Sequence, residues 1–363
     1  MSQLAGYLLA LSLAVAAWVA CSPTPLILKS PGSVLPATTP PPPESFRLSA
    51  APAAAEGYPM EVIDGYFLPA AGNGSTGIPI APEFLEGDWG HSAISWGVGN
   101  PIQPVPERFW VRWYSYPEDK FYEGHWLLPG QHLTELLRQG YWNTKDKQHE
   151  TYDGLTLCLL PKGVVVVWLT GANQVLLGRY EGSEINYDFK RFNEAANRPR
   201  MVVQEQAKLP PAVQHEIKTH TLSTRRWDAY LKTYSWQLAF NRSLQLETFS
   251  LTCLNAERTH YPPTADLPTY VQNLLRPQTR AVPAHLLLLV DAGYGRRRKI
   301  RVDAFEEAET LAAFRQLHAA RPDAPLTLFV ETDERVSQAR FFVKNDQQQV
   351  PLPHAKVVVY DAD

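Results

Sequence analysis

From residue 45 to the C-terminus, apolar positions recur mostly at every second residue, the period of a strand with one buried face. The run Phe109-Trp110-Val111-Arg112-Trp113-Tyr114 alternates in this way, and Val164-Val165-Val166-Val167-Trp168-Leu169 is apolar throughout. Both are rich in aromatic and β-branched residues and predict strands. Residues 155–160 lead into the second run through Pro161-Lys162-Gly163, a hairpin signal. Helical spacing is scarcer. Leu133, Leu136, Leu137 and Tyr141 make one apolar stripe, which Gly140 interrupts near its end. Trp227, Tyr230, Leu231 and Tyr234 fall at i, i+3, i+4 and i+7 and make another. The longest helix is expected over 304–320, with Asp303 and Glu306 at N-cap and N3 spacing.

The order of these elements recurs. Strands at 109–116 and 121–127 precede a helix near Leu133, then strands at 155–160, 164–169 and 174–180. Strands at 286–291 and 299–302 precede the 304–320 helix, then strands at 326–332 and 339–344. The expectation is an α+β fold, mainly antiparallel sheet with a few short helices, built as two similar ββα-plus-strands units. The domains expected are a signal segment 1–21, a tether 22–44, a first lobe 45–200 and a second lobe 201–363.

The signal follows from the uncharged apolar run of residues 4–20, closed by Val19-Ala20-Cys21. A small residue before a cysteine is the arrangement in which Cys21 becomes the acylated first residue of a lipoprotein. Eight prolines crowd residues 22–44, a composition that forms neither helix nor central strand and reads as an extended tether. Acyl chains at about 0.8 kcal/mol per buried CH₂ would hold such a chain on a membrane. The expected location is the bacterial envelope, lipid-anchored and facing the periplasm. Of the other cysteines, Cys158 and Cys253 lie in strand-like runs, and no spacing rule decides between a disulfide and two small buried thiols.

Composition narrows the function. The chain carries 34 basic and 37 acidic side chains, a net charge of −3, which excludes a strongly basic nucleic-acid binder. His215 and His220 are five apart, where a zinc-protease helix needs four, so they sit on different faces. Gly72-Asn73-Gly74-Ser75-Thr76-Gly77 lacks the strand–turn–helix setting of a nucleophile elbow. No cofactor, metal or catalytic site is expected, and the protein is read as a non-enzyme. Two sets of contact residues stand out. Arg296, Arg297, Arg298 and Lys299 follow Gly293-Tyr294-Gly295 as a basic rim on a hairpin tip. Trp89, Trp96, Trp110 and Trp113 crowd the first half with several tyrosines. Alternation sends Trp110 and Arg112 to one face of their strand and Trp113 to the other, so one tryptophan of the pair belongs to the core.

Gly57-Tyr58-Pro59, Glu61-Val62-Ile63-Asp64-Gly65-Tyr66 and Pro106-Glu107-Arg108-Phe109-Trp110-Val111-Arg112-Trp113-Tyr114-Ser115 resemble the bacterial lipoprotein family called domain of unknown function 2931. The pair at 155–169 is similar to that family's strand pair. The likeness is best over 45–180, and its strand-and-turn motifs carry no catalytic role. The resemblance implies an exported, often acylated protein without an established activity. The functional expectation is a non-catalytic binding protein for an envelope or incoming protein, immunity- or adaptor-like. The alternative is a carbohydrate or cell-wall binding module using exposed Trp and Tyr.

Overall fold

The computed structural model describes residues 44–70, 76–87, 89–95, 100–293 and 295–362. The expected signal with Cys21, the tether apart from Glu44, Trp96, Tyr294 and most of the 72–77 loop lie outside them. Among the described residues, no helix is long and apolar enough to cross a membrane.

The first run of elements is β1 (Ser45–Arg47), β2 (Ser49–Ala54), β3 (Met60–Leu68), β4 (Ile78–Pro79), β5 (Phe84–Leu85), β6 (Ile102–Pro104), β7 (Arg108–Ser115), β8 (Lys120–Leu127), α1 (Gly130–Gln139), β9 (Tyr141–Asn143), β10 (Gln148–Glu150), β11 (Gly154–Leu159), β12 (Val164–Thr170), β13 (Gln174–Glu181) and β14 (Ser183–Ile185). Helices follow: α2 (Phe189–Phe192), α3 (Arg198–Lys208), α4 (Pro211–Thr219) and α5 (Arg225–Tyr230). The second run is β15 (Thr233–Phe240), β16 (Gln245–Cys253), β17 (Arg258–Thr259), α6 (Leu267–Leu275), β18 (Gln278–Ala281), β19 (Pro283–Asp291), β20 (Arg297–Ala304), α7 (Glu307–Ala320), β21 (Leu326–Thr332), β22 (Ala339–Lys344), β23 (Gln349–Pro351) and β24 (Lys356–Asp361).

The fold is α+β and mainly antiparallel, and the recurrence goes further than the sequence pattern. In the first half, antiparallel β14-β8-β7-β3 shares a core with β2-β11-β12-β13, in which β2 and β11 run parallel. In the second half, antiparallel β24-β20-β19-β16 shares a core with β15-β21-β22-β23, in which β15 and β21 run parallel. Thus β2, β3, β7, β8, α1, β11, β12, β13 and β14 correspond in order to β15, β16, β19, β20, α7, β21, β22, β23 and β24. Each helix links a hairpin of one sheet to the other sheet, and each closes one side of its own core through Leu133 and Leu137 or Phe314 and Leu317.

Both faces of β11 and β12 are buried, which accounts for their unbroken apolar runs. Trp113 and Trp168 fill the first core and Trp236 the second, all fully buried. At about 25 cal/mol per Å² and 150–250 Å² each, every such ring contributes about 4–6 kcal/mol of gross transfer free energy. Cys158 and Cys253 are buried and unpaired. Burial pushes the Cys158 thiol up to about 12, so it stays protonated and unreactive at neutral pH.

Two helix expectations need correction. α7 begins at Glu307 because the Glu306 carboxylate accepts from the Ala308 and Glu309 N–H groups (3.2 and 2.5 Å), while Ala304 closes β20. Asp303, the expected cap, pairs with Arg301 instead (2.7 Å). α5 stops at Tyr230, and Tyr234 belongs to β15, opposite Arg280.

The halves meet through β17, which pairs with β13 on one side and β16 on the other to make one nine-stranded sheet. The β13–β17 link is a single register pair, Gln174 with Arg258; besides one backbone bond from the Trp142 N–H to the Pro262 carbonyl (2.7 Å), side chains join the halves. Gln174 Nε2 donates to the Gly90 and Ala256 carbonyls (2.8 Å each). Asn173 Oδ1 accepts from the His260 and Tyr261 N–H groups (2.7 and 2.8 Å), and its Nδ2 donates to the Tyr261 carbonyl (2.8 Å). Trp168 Nε1 donates to the Asn255 carbonyl (2.9 Å). Gly90 has φ +71°, and a Cβ there would lie 2.2 Å from that of Ala256, so this close approach requires glycine.

Candidate functional site

Alternation along β3, β7 and β8 places two cross-strand rows on the outer face of the first sheet. Tyr66, Trp110 and His125 form one row. Their rings are near-parallel, with centroids 6.1 Å apart at 29° for Tyr66–Trp110 and 5.7 Å apart at 12° for Trp110–His125. Asp64, Arg112 and Glu123 form the next row. Arg112 Nε donates to Glu123 Oε2 (2.6 Å), and its guanidinium lies 5.1 Å from the Tyr187 ring and 6.0 Å from the Trp110 ring. Burial alone would raise the Glu123 carboxyl, but hydrogen bonds from His125 and Arg112 outweigh it and hold the pKa below the usual carboxylate range.

The ladder is open. The His125 side chain is 66% exposed, and Tyr66 and Trp110 are half-buried. One row further along, Tyr114 and Phe121 are covered by Phe189 and Phe192 of α2, with Met201 of α3 packed on the same cluster. Burial and a hydrogen bond to Asp119 push the Tyr114 phenol well up. The outer face therefore divides into a sealed aromatic cluster and an exposed aromatic–charged ladder.

The other expected contact residues scatter. Trp113 is corrected: its alternation sends it inward, where it is fully buried and stacked on Tyr122 (5.6 Å, 27°). Trp89 stands in a cleft of about 250 Å³ between the halves, lined with Trp227, Tyr230, Arg226, Glu56 and His285 among others. There its Nε1 donates to the Leu254 carbonyl (2.7 Å) and its ring meets Trp168 edge-on. Arg226 in that cleft is tied to Glu307 (2.9 Å).

The basic rim is a hairpin tip between β19 and β20, turned by Gly293 (φ 84°) and Gly295 (φ 71°). Its charge is compensated in part. Arg297 pairs with Glu247 (2.6 Å), Arg298 pairs with Asp361, and Lys299 lies over the Tyr360 ring (5.7 Å). Arg296 has no ion-pair partner among the described residues. The rim and the ladder belong to different halves, so the structure does not bring them into one site.

His215 lies on α4 and His220 is its left-handed C-cap, which keeps the two imidazoles off one face. Among the described residues, no three His, Cys, Asp or Glu side chains group to hold a metal ion. Strand register, not sequence spacing, brings Tyr66 and His125 beside Trp110.

No curated protein and no solved structure matches the chain. The family described as "Protein of unknown function (DUF2931)" matches residues 36–224, which span the first sandwich and the helices through α4. With just over half its length matched, the chain belongs to the DUF2931 family.

Proposed function

We propose that the protein is an exported lipoprotein, anchored in the bacterial envelope through acylated Cys21 and facing the periplasm, whose body binds another envelope or incoming protein without catalysing a reaction. The observation that carries this reading is the open ladder of Tyr66, Trp110 and His125 beside Arg112. Trp, Tyr and Arg dominate the binding energy of protein interfaces, and here they are half-exposed on a rigid sheet. Asp64 and Glu123 give the patch a polar surround that can pair with a partner's charges.

The test is capture from membrane extract with the full chain in mild detergent, comparing wild type with Trp110→Ala and with Leu289→Ala on the second half. A protein retained in stoichiometric amount by wild type and by Leu289→Ala, and lost by Trp110→Ala, supports the reading. Equal retention by Trp110→Ala contradicts it. Trp110-dependent sedimentation with insoluble peptidoglycan, without a protein partner, would establish the carbohydrate alternative instead.

A further inference from the structure

β24 closes one end of the nine-stranded sheet. Its pairing with β20 and the Ala362 N–H donating to the Arg297 carbonyl (3.1 Å) fix which way its backbone points. Val358, Tyr360 and Ala362 face β20, so the N–H and C=O groups of Val357, Val359 and Asp361 face outward. Among the described residues no hydrogen bond is made to these groups.

Other sheet ends are shorter or protected. β14 and β23 have three residues, β18 has four and β4 has two. β2, at the far end of the same sheet, contains Pro52, which has no N–H and whose carbonyl accepts from the Ser92 hydroxyl (2.5 Å). β24 has six residues, Lys-Val-Val-Val-Tyr-Asp, with charge only at its two ends. Exposed edges of this kind are ordinarily blunted by proline, inward charge or a bulge; from Val357 to Tyr360 this one carries none of these, and the register shift in its pairing with β20 falls between Val302 and Ala304, at the Lys356 end.

We propose that β24 pairs antiparallel with β24 of a second copy of this chain, continuing the nine-stranded sheet across a two-fold axis. The sequence of the strand selects that occupant. A two-fold normal to the sheet keeps each side chain on its own face, so opposed residues must be an even number of positions apart. Only a centre at Val359 uses all the outward groups. It sets Val359 against Val359 and Val357 against Asp361, for about six backbone hydrogen bonds. On the solvent face Val358 then packs against Tyr360 twice, a favourable β-branched–aromatic pair. No like charges oppose, because Lys356 meets Ala362 and Asp361 meets Val357. Val358 is 43% exposed and gains the most cover.

One strand pair buries less than the roughly 1,200 Å² of a stable interface, so the dimer is weak and concentration-dependent. The register supplies the test. In the full chain with Cys21→Ser, Val359→Cys sits opposite itself, whereas Val358→Cys stands about 8 Å from its counterpart, beyond disulfide reach. Mild oxidation in detergent should yield at least about tenfold more disulfide dimer from Val359→Cys than from Val358→Cys. Sedimentation of the wild type should give a mass that rises with concentration, and Val359→Pro, which removes only an outward N–H, should abolish the rise. Equal cross-linking from both cysteines, or a wild type that stays monomeric at all concentrations, would overturn the proposal.

Discussion

In the first half, β14 leads into α2 and α3, and their Phe189, Phe192 and Met201 seal one end of the outer sheet face. The ladder is left open beside them. In the second half no described element follows β24, and the equivalent face carries Leu287, Arg301 and Val358 in one row and Leu289, Lys299 and Tyr360 in the next. The same strand order thus presents an aromatic–acidic–Arg surface in one copy and an aliphatic–cationic one in the other. Cores and connections are kept while outer faces diverge, because only the inner faces must fit a partner sheet.

Breaking a core and breaking a face should differ most. Trp113→Ala empties a fully buried site in the first half and is expected to cost about 3–5 kcal/mol. Trp110→Ala, three positions away on the same strand and on its opposite face, should cost under about 1 kcal/mol. Urea midpoints of both variants check this, and equal losses would mean that Trp110 is structural.

The joint comes next. Asn173→Ala removes three hydrogen bonds and should cost about 2–3 kcal/mol. Because the β13–β17 link there is a single register pair, calorimetry of this variant should separate one transition into two. An unchanged single transition would show that the halves are coupled elsewhere.

Alkali should also distinguish the halves by degree, since burial raises only Tyr234 and Tyr270 in the second core and a larger set of phenols in the first. In the first, Tyr58, Tyr114, Tyr116 and Tyr122 are buried and donate to Glu216, Asp119, Glu61 and Glu118. Burial first, and those carboxylates second, push all four phenols upward. Their stabilisation is complete below the free tyrosine pKa of about 10 and is lost as pH rises through the raised values. Trp236 is the one tryptophan after residue 230, so fluorotryptophan NMR can follow the second half alone. Its signal is expected to outlast that of Trp113 as pH rises above about 10.

The smallest effect concerns Glu123. Its lowered pKa contributes stability that is present above the unfolded carboxylate value of about 4.3 and lost as pH falls through the folded value. Glu123→Gln should therefore flatten the acid limb of a stability–pH curve slightly, and a steeper limb would contradict the assigned hydrogen bonds.

Much of this was legible in the residues. The expected strands at 326–332 and 339–344 coincide with β21 and β22, since buried apolar positions alternate with outer ones that are polar apart from Phe329 and Phe342. The alternation around Trp110 and Trp113 correctly divided core from face. α3 was illegible because none of its residues is buried, so no apolar stripe marks it. The stripe from Trp227 to Tyr234 misled because buried aromatics on a short helix and the following strand happened to share helical spacing. The ladder was half legible: Trp110 and Arg112 follow from alternation, whereas Tyr66 and His125 depend on register across three strands.

The most direct measurement is photo-cross-linking in membrane extract from two topologically matched faces, with a photoreactive phenylalanine analogue at position 125 or at position 289. A discrete protein adduct is expected from position 125, abolished by Trp110→Ala, and none from position 289. An adduct from position 289 alone would place the binding face on the other half and contradict its assignment to the ladder.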